Sequence, residues 1–186
     1  MRGTIINGRS EGDWTYFYPD GSIKARGLEK DGVKHGEWEY FHRNGQISSK
    51  GKYVQGRQQG RWEHFHPNGQ ISSEGKHKDG LKDGHWKLYR RDGGFKAEGN
   101  FENGTGTYKE YHDNGNLKVK GRMVDDKHEG QWEYFYEDGT LEGSVTFIAE
   151  KGLTPGIIKM EVSKWKEVLW MAKKPGCGFF MTGMVK

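Results

Sequence analysis

Histidine is the first residue in this chain of 186 residues whose type and spacing could do chemistry; there are eight. His42, His66 and His112 recur in one phase, and His64 stands two residues before His66. A zinc site needs three or four donors converging on one point. Residues that recur once per hairpin stand roughly 10 Å apart in a sheet, two strand spacings, which is too far for shared ligation. Tyr18, Arg90 and Tyr136 hold the same slot elsewhere, so the expectation is a polar rung or partner contact and no metal. The carboxylates sit at turn positions (Asp20, Asp92, Asp138) or at exposed strand positions (Glu39, Glu63, Glu133), where they serve turn geometry and solubility. Cys177 lies between glycines with no histidine after it in sequence, which makes it a poor nucleophile candidate. No glycine-rich run precedes a helix as a phosphate loop would. No catalytic residue, no metal and no cofactor are expected, and the chain is not expected to be an enzyme.

The elements that carry these residues follow from an internal period, which has to be read before any other feature. Trp14, Trp38, Trp62 and Trp86 each follow the last by 24 residues; Tyr108 comes 22 later and Trp132 another 24 after that. A glycine precedes every mark by two residues and another follows it by seven. Asp20-Gly21, Asn44-Gly45, Asn68-Gly69, Asp92-Gly93, Asn114-Gly115 and Asp138-Gly139 form one series of turn dipeptides. Asp31-Gly32, Gln55-Gly56, Asp79-Gly80 and Asn103-Gly104 form a second, with Asp125-Asp126 as a degenerate copy. Such dipeptides are the strongest short-range signal for tight hairpins. Two turns per repeat leave two short strands, and serial hairpins make an antiparallel meander. The expected organisation is a half repeat at 1–10, repeats near 11–36, 37–60, 61–84, 85–106, 107–130 and 131–150, and a tail at 151–186.

Strand alternation assigns the faces. Counting from the mark, positions 0, +2 and +4 point one way. They comprise Trp14, Tyr16 and Tyr18; Trp38, Tyr40 and His42; Trp62, His64 and His66; Trp86 and Arg90; Tyr108 and His112; and Trp132, Tyr134 and Tyr136. This varied face is the candidate partner-binding surface. Position +3 (Phe17, Phe41, Phe65, Tyr89, Tyr111, Phe135) is always aromatic, and position +9 (Ile23, Ile47, Ile71, Phe95, Leu117, Leu141) is always apolar. These invariant positions are the expected structural seam.

Composition fits a thin, water-facing structure held by aromatic side chains. The chain is 30% charged and 13% aromatic, with 30 glycines and a mean hydropathy of −1.02. Disorder depletes aromatics, and here they keep a fixed phase. Residues 1–150 carry 23 Lys+Arg against 24 Asp+Glu, whereas residues 151–186 carry seven lysines against Glu161 and Glu167. A near-neutral array argues against a nucleic-acid groove, which needs positive charge beside its aromatics. No apolar run is long enough for a transmembrane helix, and the start lacks the apolar core of a signal peptide. With one cysteine, a reducing compartment and a cytoplasmic location are expected. In the tail, Thr154-Pro155 opens a helix with Ile158, Val162, Trp165, Leu169 and Ala172 at helical spacing. Alternatively Ile158, Met160 and Val162 form a strand and the helix begins after Ser163. Trp165, Leu169, Trp170, Lys173 and Lys174 are its expected contacts: with the sheet as a self-docked cap, with a partner, or with a membrane surface.

The repeat text GEWEYFHRNGQISSKGKYVQGRQQG and GRWEHFHPNGQISSEGKHKDGLKDG resembles the bacterial variant of the MORN (membrane occupation and recognition nexus) repeat over about residues 1–148. The resemblance implies an all-β, elongated single-layer antiparallel meander of six hairpin repeats. It implies binding rather than chemistry: bacterial members are described as antitoxin or immunity-like proteins, and eukaryotic relatives as scaffolds near membranes or on helical peptides. Two features depart from the pattern: the short repeat at Tyr108, without its tryptophan, and the basic tail. Choline-binding wall modules are also similar in their aromatic cluster and turn, but their period is shorter and they place a second tryptophan after the hairpin. The expected function is protein recognition across the aromatic face, of antitoxin or partner-tethering type. The competing readings are a membrane-peripheral protein using the tail and a glycan- or wall-binding module. The expected partner is another protein, a helical segment of one, or the chain's own tail, with oligomeric state left open.

Overall fold

The computed structural model describes residues 1–149 and 158–163. These divide into two compact units, one spanning Met1–Gly104 and the other starting at Thr105. All regular structure among the described residues is strand. The first unit contains β1 (Arg2–Ile6), β2 (Arg9–Phe17), β3 (Ile23–Lys30), β4 (Val33–Phe41), β5 (Ile47–Val54), β6 (Arg57–Phe65), β7 (Ile71–Lys78), β8 (Leu81–Tyr89) and β9 (Phe95–Glu102). The second contains β10 (Thr105–Tyr111), β11 (Leu117–Val124), β12 (Lys127–Phe135), β13 (Leu141–Ala149) and β14 (Ile158–Ser163). Within each unit every strand pairs antiparallel with the next in the chain, the meander that serial hairpins demand.

The two turn series differ in construction. In the second, both central residues take positive φ: Asp31 at 52° and Gly32 at 82°, Gln55 at 49° and Gly56 at 76°. Lys30↔Val33 and Val54↔Arg57 close these two-residue turns, the geometry that matches strand twist. In the first series only the glycine has positive φ, as at Gly21 and Gly45. There the Asx side chain shapes the loop: Asp20 Oδ1 accepts from the Ser22 amide at 2.9 Å, and Asn44 Oδ1 from the Gln46 amide at 3.2 Å.

In each unit the core is a row on one face. Trp14 pairs with Gly27, Gly27 with Trp38, Trp38 with Gly51, Gly51 with Trp62 and Trp62 with Gly75. Each indole lies flat over the glycine eleven residues before it. A Cβ placed on Gly27, Gly51 or Gly75 would meet the rings of Trp38, Trp62 or Trp86 at 2.5, 2.4 and 2.2 Å. A tryptophan on every second strand has about 9.6 Å of sheet to cover, and a bare backbone beside it lets the ring lie down. Trp38, Trp62, Trp86 and Trp132 are buried to 2% exposure or less. Four indole N–H groups donate to the carbonyl of the residue after that glycine, as Trp38 does to Leu28 at 2.9 Å. The last hairpin explains the rule by its exception: Val145 faces Trp132, and the following strand brings Val162, not a tryptophan, to that rung.

The glycine two residues before each tryptophan is a bulge residue, not a turn residue. Register jumps from Gly27↔Trp38 to Leu28↔His35, leaving Gly36 and Glu37 unmatched on β3, with Gly36 at φ 65°. Beyond the repeats, Ile158–Ser163 pairs with β13 as a strand, which decides those six residues against a helix starting at Thr154. The alternation of Ile158, Met160 and Val162 is the period-two signal that prevails. The expected tail contacts at Trp165, Leu169, Trp170, Lys173 and Lys174 lie outside the described residues.

Candidate functional site

The tryptophans belong to the packed row, which corrects their assignment to the candidate partner-binding surface. Trp14, Trp38, Trp62, Trp86 and Trp132 are 6% exposed or less and offer almost no area to a partner. The reason is the glycine row: in a single layer, the largest ring beside the smallest residue becomes the core. Tyr108, which stands in for tryptophan in the short copy, is half-buried. The +3 and +9 positions are correspondingly less buried than a seam requires. Phe17, Ile23, Phe95 and Leu141 are 37–50% exposed, and Phe41, Phe65 and Phe135 are covered by the cations of Arg26, Lys50 and Lys120 at 5.2–5.5 Å. That face also carries the ion pairs Arg26–Glu39, Lys50–Glu63 and Arg61–Glu74.

Position +4 lies past the strand end and does not share the tryptophan face. It ties one repeat to the next. Tyr18 donates to the carbonyl of Phe41 at 2.8 Å, and the Nε2 atoms of His42, His66 and His112 meet the carbonyls of Phe65, Tyr89 and Phe135 at 2.9, 3.0 and 2.8 Å. A carbonyl only accepts, so each Nε2 carries the hydrogen. Arg90 donates to Phe95 in its own hairpin, and Tyr136 is exposed. Among the described residues, no three histidine, cysteine or acidic side chains converge as metal ligands.

What remains on the tryptophan face is the +2 row with two rows the sequence reading passed over. Tyr16, Tyr40, His64 and Tyr134 are half-buried on the shoulders of the indoles; Trp14–Tyr16, Trp38–Tyr40 and Trp62–His64 centroids lie 6.1–6.2 Å apart. Four residues before the mark come Ser10, Lys34, Gln58, Lys82 and His128. Lys34 and Lys82 lie over Trp38 and Trp86 at 4.5 and 5.3 Å, and His128 stacks on Trp132 at 3.7 Å. On the alternate strands come Glu29, Tyr53, His77 and Phe101. Counting backward from the mark as well as forward would have found Lys34, since four residues preserve the face.

In the first unit these rows make a hydrogen-bonded patch. Buried Glu29 accepts from Ser10 and from Tyr16 at 2.5 Å; Lys34 donates to Tyr40 at 2.5 Å, and Tyr40 and Tyr53 share a hydrogen bond of 2.9 Å. Burial, then the Glu29 contact, pushes the Tyr16 hydroxyl up to about 12. Burial, then Tyr53, raises Tyr40 further, while burial lowers Lys34, an effect that Glu29 opposes and Lys24 reinforces. His64 is lowered by burial and then by the nearby Lys82 charge. The patch holds tyrosine hydroxyls and an imidazole kept neutral by burial on a floor of buried indoles.

The sequence model of the family described as MORN repeat variant matches residues 10–28, 34–55, 58–79, 105–125 and 129–149. The chain belongs to the MORN repeat variant family. These five MORN segments span the glycine and tryptophan strands just described; the hairpin of Trp86 lies outside them yet folds on the same plan, with Trp86 opposite Gly99. MORN repeats are non-catalytic modules that generally bind. No curated protein matches the chain. No helix among the described residues is long and apolar enough to cross a membrane.

Proposed function

We propose that this MORN protein is a non-enzymatic recognition scaffold that binds another protein across the tryptophan face of its first unit, in an antitoxin-like or partner-tethering role in the cytoplasm. The observation that carries the proposal is the row Tyr16, Tyr40 and His64, half-exposed on a floor of buried indoles. Half-exposed tyrosines held by a rigid floor provide contact area at small entropic cost, as interface anchors do. The +2 position varies, to Leu88 and Glu110 in later copies, so successive repeats present different groups on a constant frame. The mechanism is steric: the partner's surface is covered, and no bond is made or broken.

A photo-crosslinking amino acid placed at position 40, on this face, and in a second variant at position 50, on the opposite face, tests the proposal in the source cells. A discrete protein adduct from position 40 and none from position 50 is the expected result. Adducts from position 50 alone, or from neither position, overturn it.

A further inference from the structure

The patch around Lys34 is built to meet a specific chemical group. We infer that it receives a carboxylate from an acidic segment of the bound protein. This rests on recognition through the tryptophan face and specifies the partner's chemistry at one point. Lys34 lies over three rings at once, Trp38 at 4.5 Å, Tyr40 at 4.8 Å and Tyr53 at 5.3 Å, so its ammonium is held in place by cation–π contacts. Its hydrogen bond goes to the neutral Tyr40 hydroxyl, whereas cations of the opposite face pair with carboxylates. Glu29, opposite Lys34 in the register, has its two oxygens occupied by Ser10 and Tyr16.

The hydrogen bonds within the patch leave donor hydrogens over. An ammonium only donates, so the Tyr40 oxygen accepts from Lys34; the Tyr40–Tyr53 bond uses one of the two hydroxyl hydrogens, and in the proposed arrangement it is the Tyr40 hydrogen. That leaves the Tyr53 hydrogen and the remaining N–H groups of Lys34 for a further acceptor; the Lys34 Nζ is 5.3 Å from the centre of the Tyr53 ring, and both side chains are half-exposed. Two neighbouring donors on one cation and one hydroxyl fit the two oxygens of a planar carboxylate. Local charge fits as well: Lys34 and Lys24 against Glu29 leave one positive charge, which a monoanion neutralises and a phosphate dianion overshoots. The chain's own segment 151–186, with seven lysines and two glutamates, has the wrong sign for this place.

The test uses the full chain and a capped hexapeptide of Gly, Ser and Tyr with one central Glu, compared with the same peptide carrying Gln. NMR titration of lysine side-chain and tyrosine ring signals reads both affinity and place. The Glu peptide is expected to bind about tenfold more tightly than the Gln peptide, the worth of one charge-assisted hydrogen bond, with shifts at Lys34 and Tyr53. K34M, which keeps the stacked methylene stem, and Y53F are each expected to abolish the difference, and K34R to retain it. Thermal melts establish that the variants stay folded. Equal binding of the two peptides, or a preference that persists in both K34M and Y53F, overturns the carboxylate. If both peptides bind equally while the position-40 crosslink forms, recognition through this face stands and the carboxylate falls. If neither binds, the carboxylate falls, and the crosslink alone decides the recognition face.

Discussion

At the scale of single residues, the chain shows how a glycine can be a core residue. Gly51 has no conformational reason to be glycine, since its φ is not positive; it is glycine because Trp62 occupies the space its Cβ would fill. Gly51→Ala is therefore expected to destabilise by about 1–3 kcal/mol through overpacking, read as a lower denaturation midpoint in urea. A midpoint unchanged from wild type would show that the ring can lift freely. The same scale assigns the histidine tautomers. Nε2 protonation of His42, His66 and His112 is expected from the carbonyls they face, and nitrogen chemical shifts measure it directly. Nδ1 protonation at these three would break the proposed ties between repeats.

At the scale of elements, hairpins are fastened to their neighbours at both rows of turns. Gly32, Gly56 and Gly80 donate backbone N–H bonds to carbonyls of the preceding repeat at 2.9–3.0 Å. In the other row, Asn44, Asn68 and Asn114 donate to Pro67, Arg91 and Glu137 at 2.7–2.8 Å. Aspartate keeps the turn and loses that donor. Asn44→Asp should preserve the Asx loop yet cost about 1 kcal/mol at neutral pH, recovered in part when the carboxyl is protonated. A variant as stable as wild type at pH 7 would remove the bond from the account. In the second turn row Gln55, at φ 49°, is a poor fit. Gln55→Asn suits that backbone better and is expected to raise the melting temperature by a few degrees, about 0.5–1 kcal/mol; a lower one would count against the turn geometry.

At the scale of the whole molecule, titration of buried groups sets the pH range of stability. His64 and His128 have folded-state values below the ordinary histidine range because burial disfavours the imidazolium. Stability from these groups is full above the unfolded histidine value, near 6.5, and falls as pH drops toward their depressed folded values. Tyr16, Tyr40 and Tyr108 are raised by burial and by their neighbours, so stability is present below pH 10 and falls as pH rises through that region. Melting temperature is thus expected to decline on both sides of neutrality, with H64Q flattening part of the acid limb. An acid limb identical in H64Q and wild type would shift the cause to other groups. The exposed ion pairs contribute little to this profile, because water screens them.

Much of this was legible in the residues alone. The 24-residue period, two turn dipeptides per repeat and the strands between them are local facts, since turn chemistry and side-chain alternation act within a few residues. The strand at Ile158–Ser163 shows the boundary, because Ile158 and Val162 satisfy helical and alternating templates equally until β13 is there to pair with. Which face is core was not local. Trp38 is buried because Gly27 and Gly51, eleven and thirteen residues away, flank it across the sheet, and no count along one strand shows that contact. His42 left its assigned face for the same reason: its partner, Phe65, belongs to the next repeat. Sequence alone determined the hairpins and their order. Tertiary structure decided which aromatics are floor and which are surface, because only strand register brings a ring and a bare backbone together.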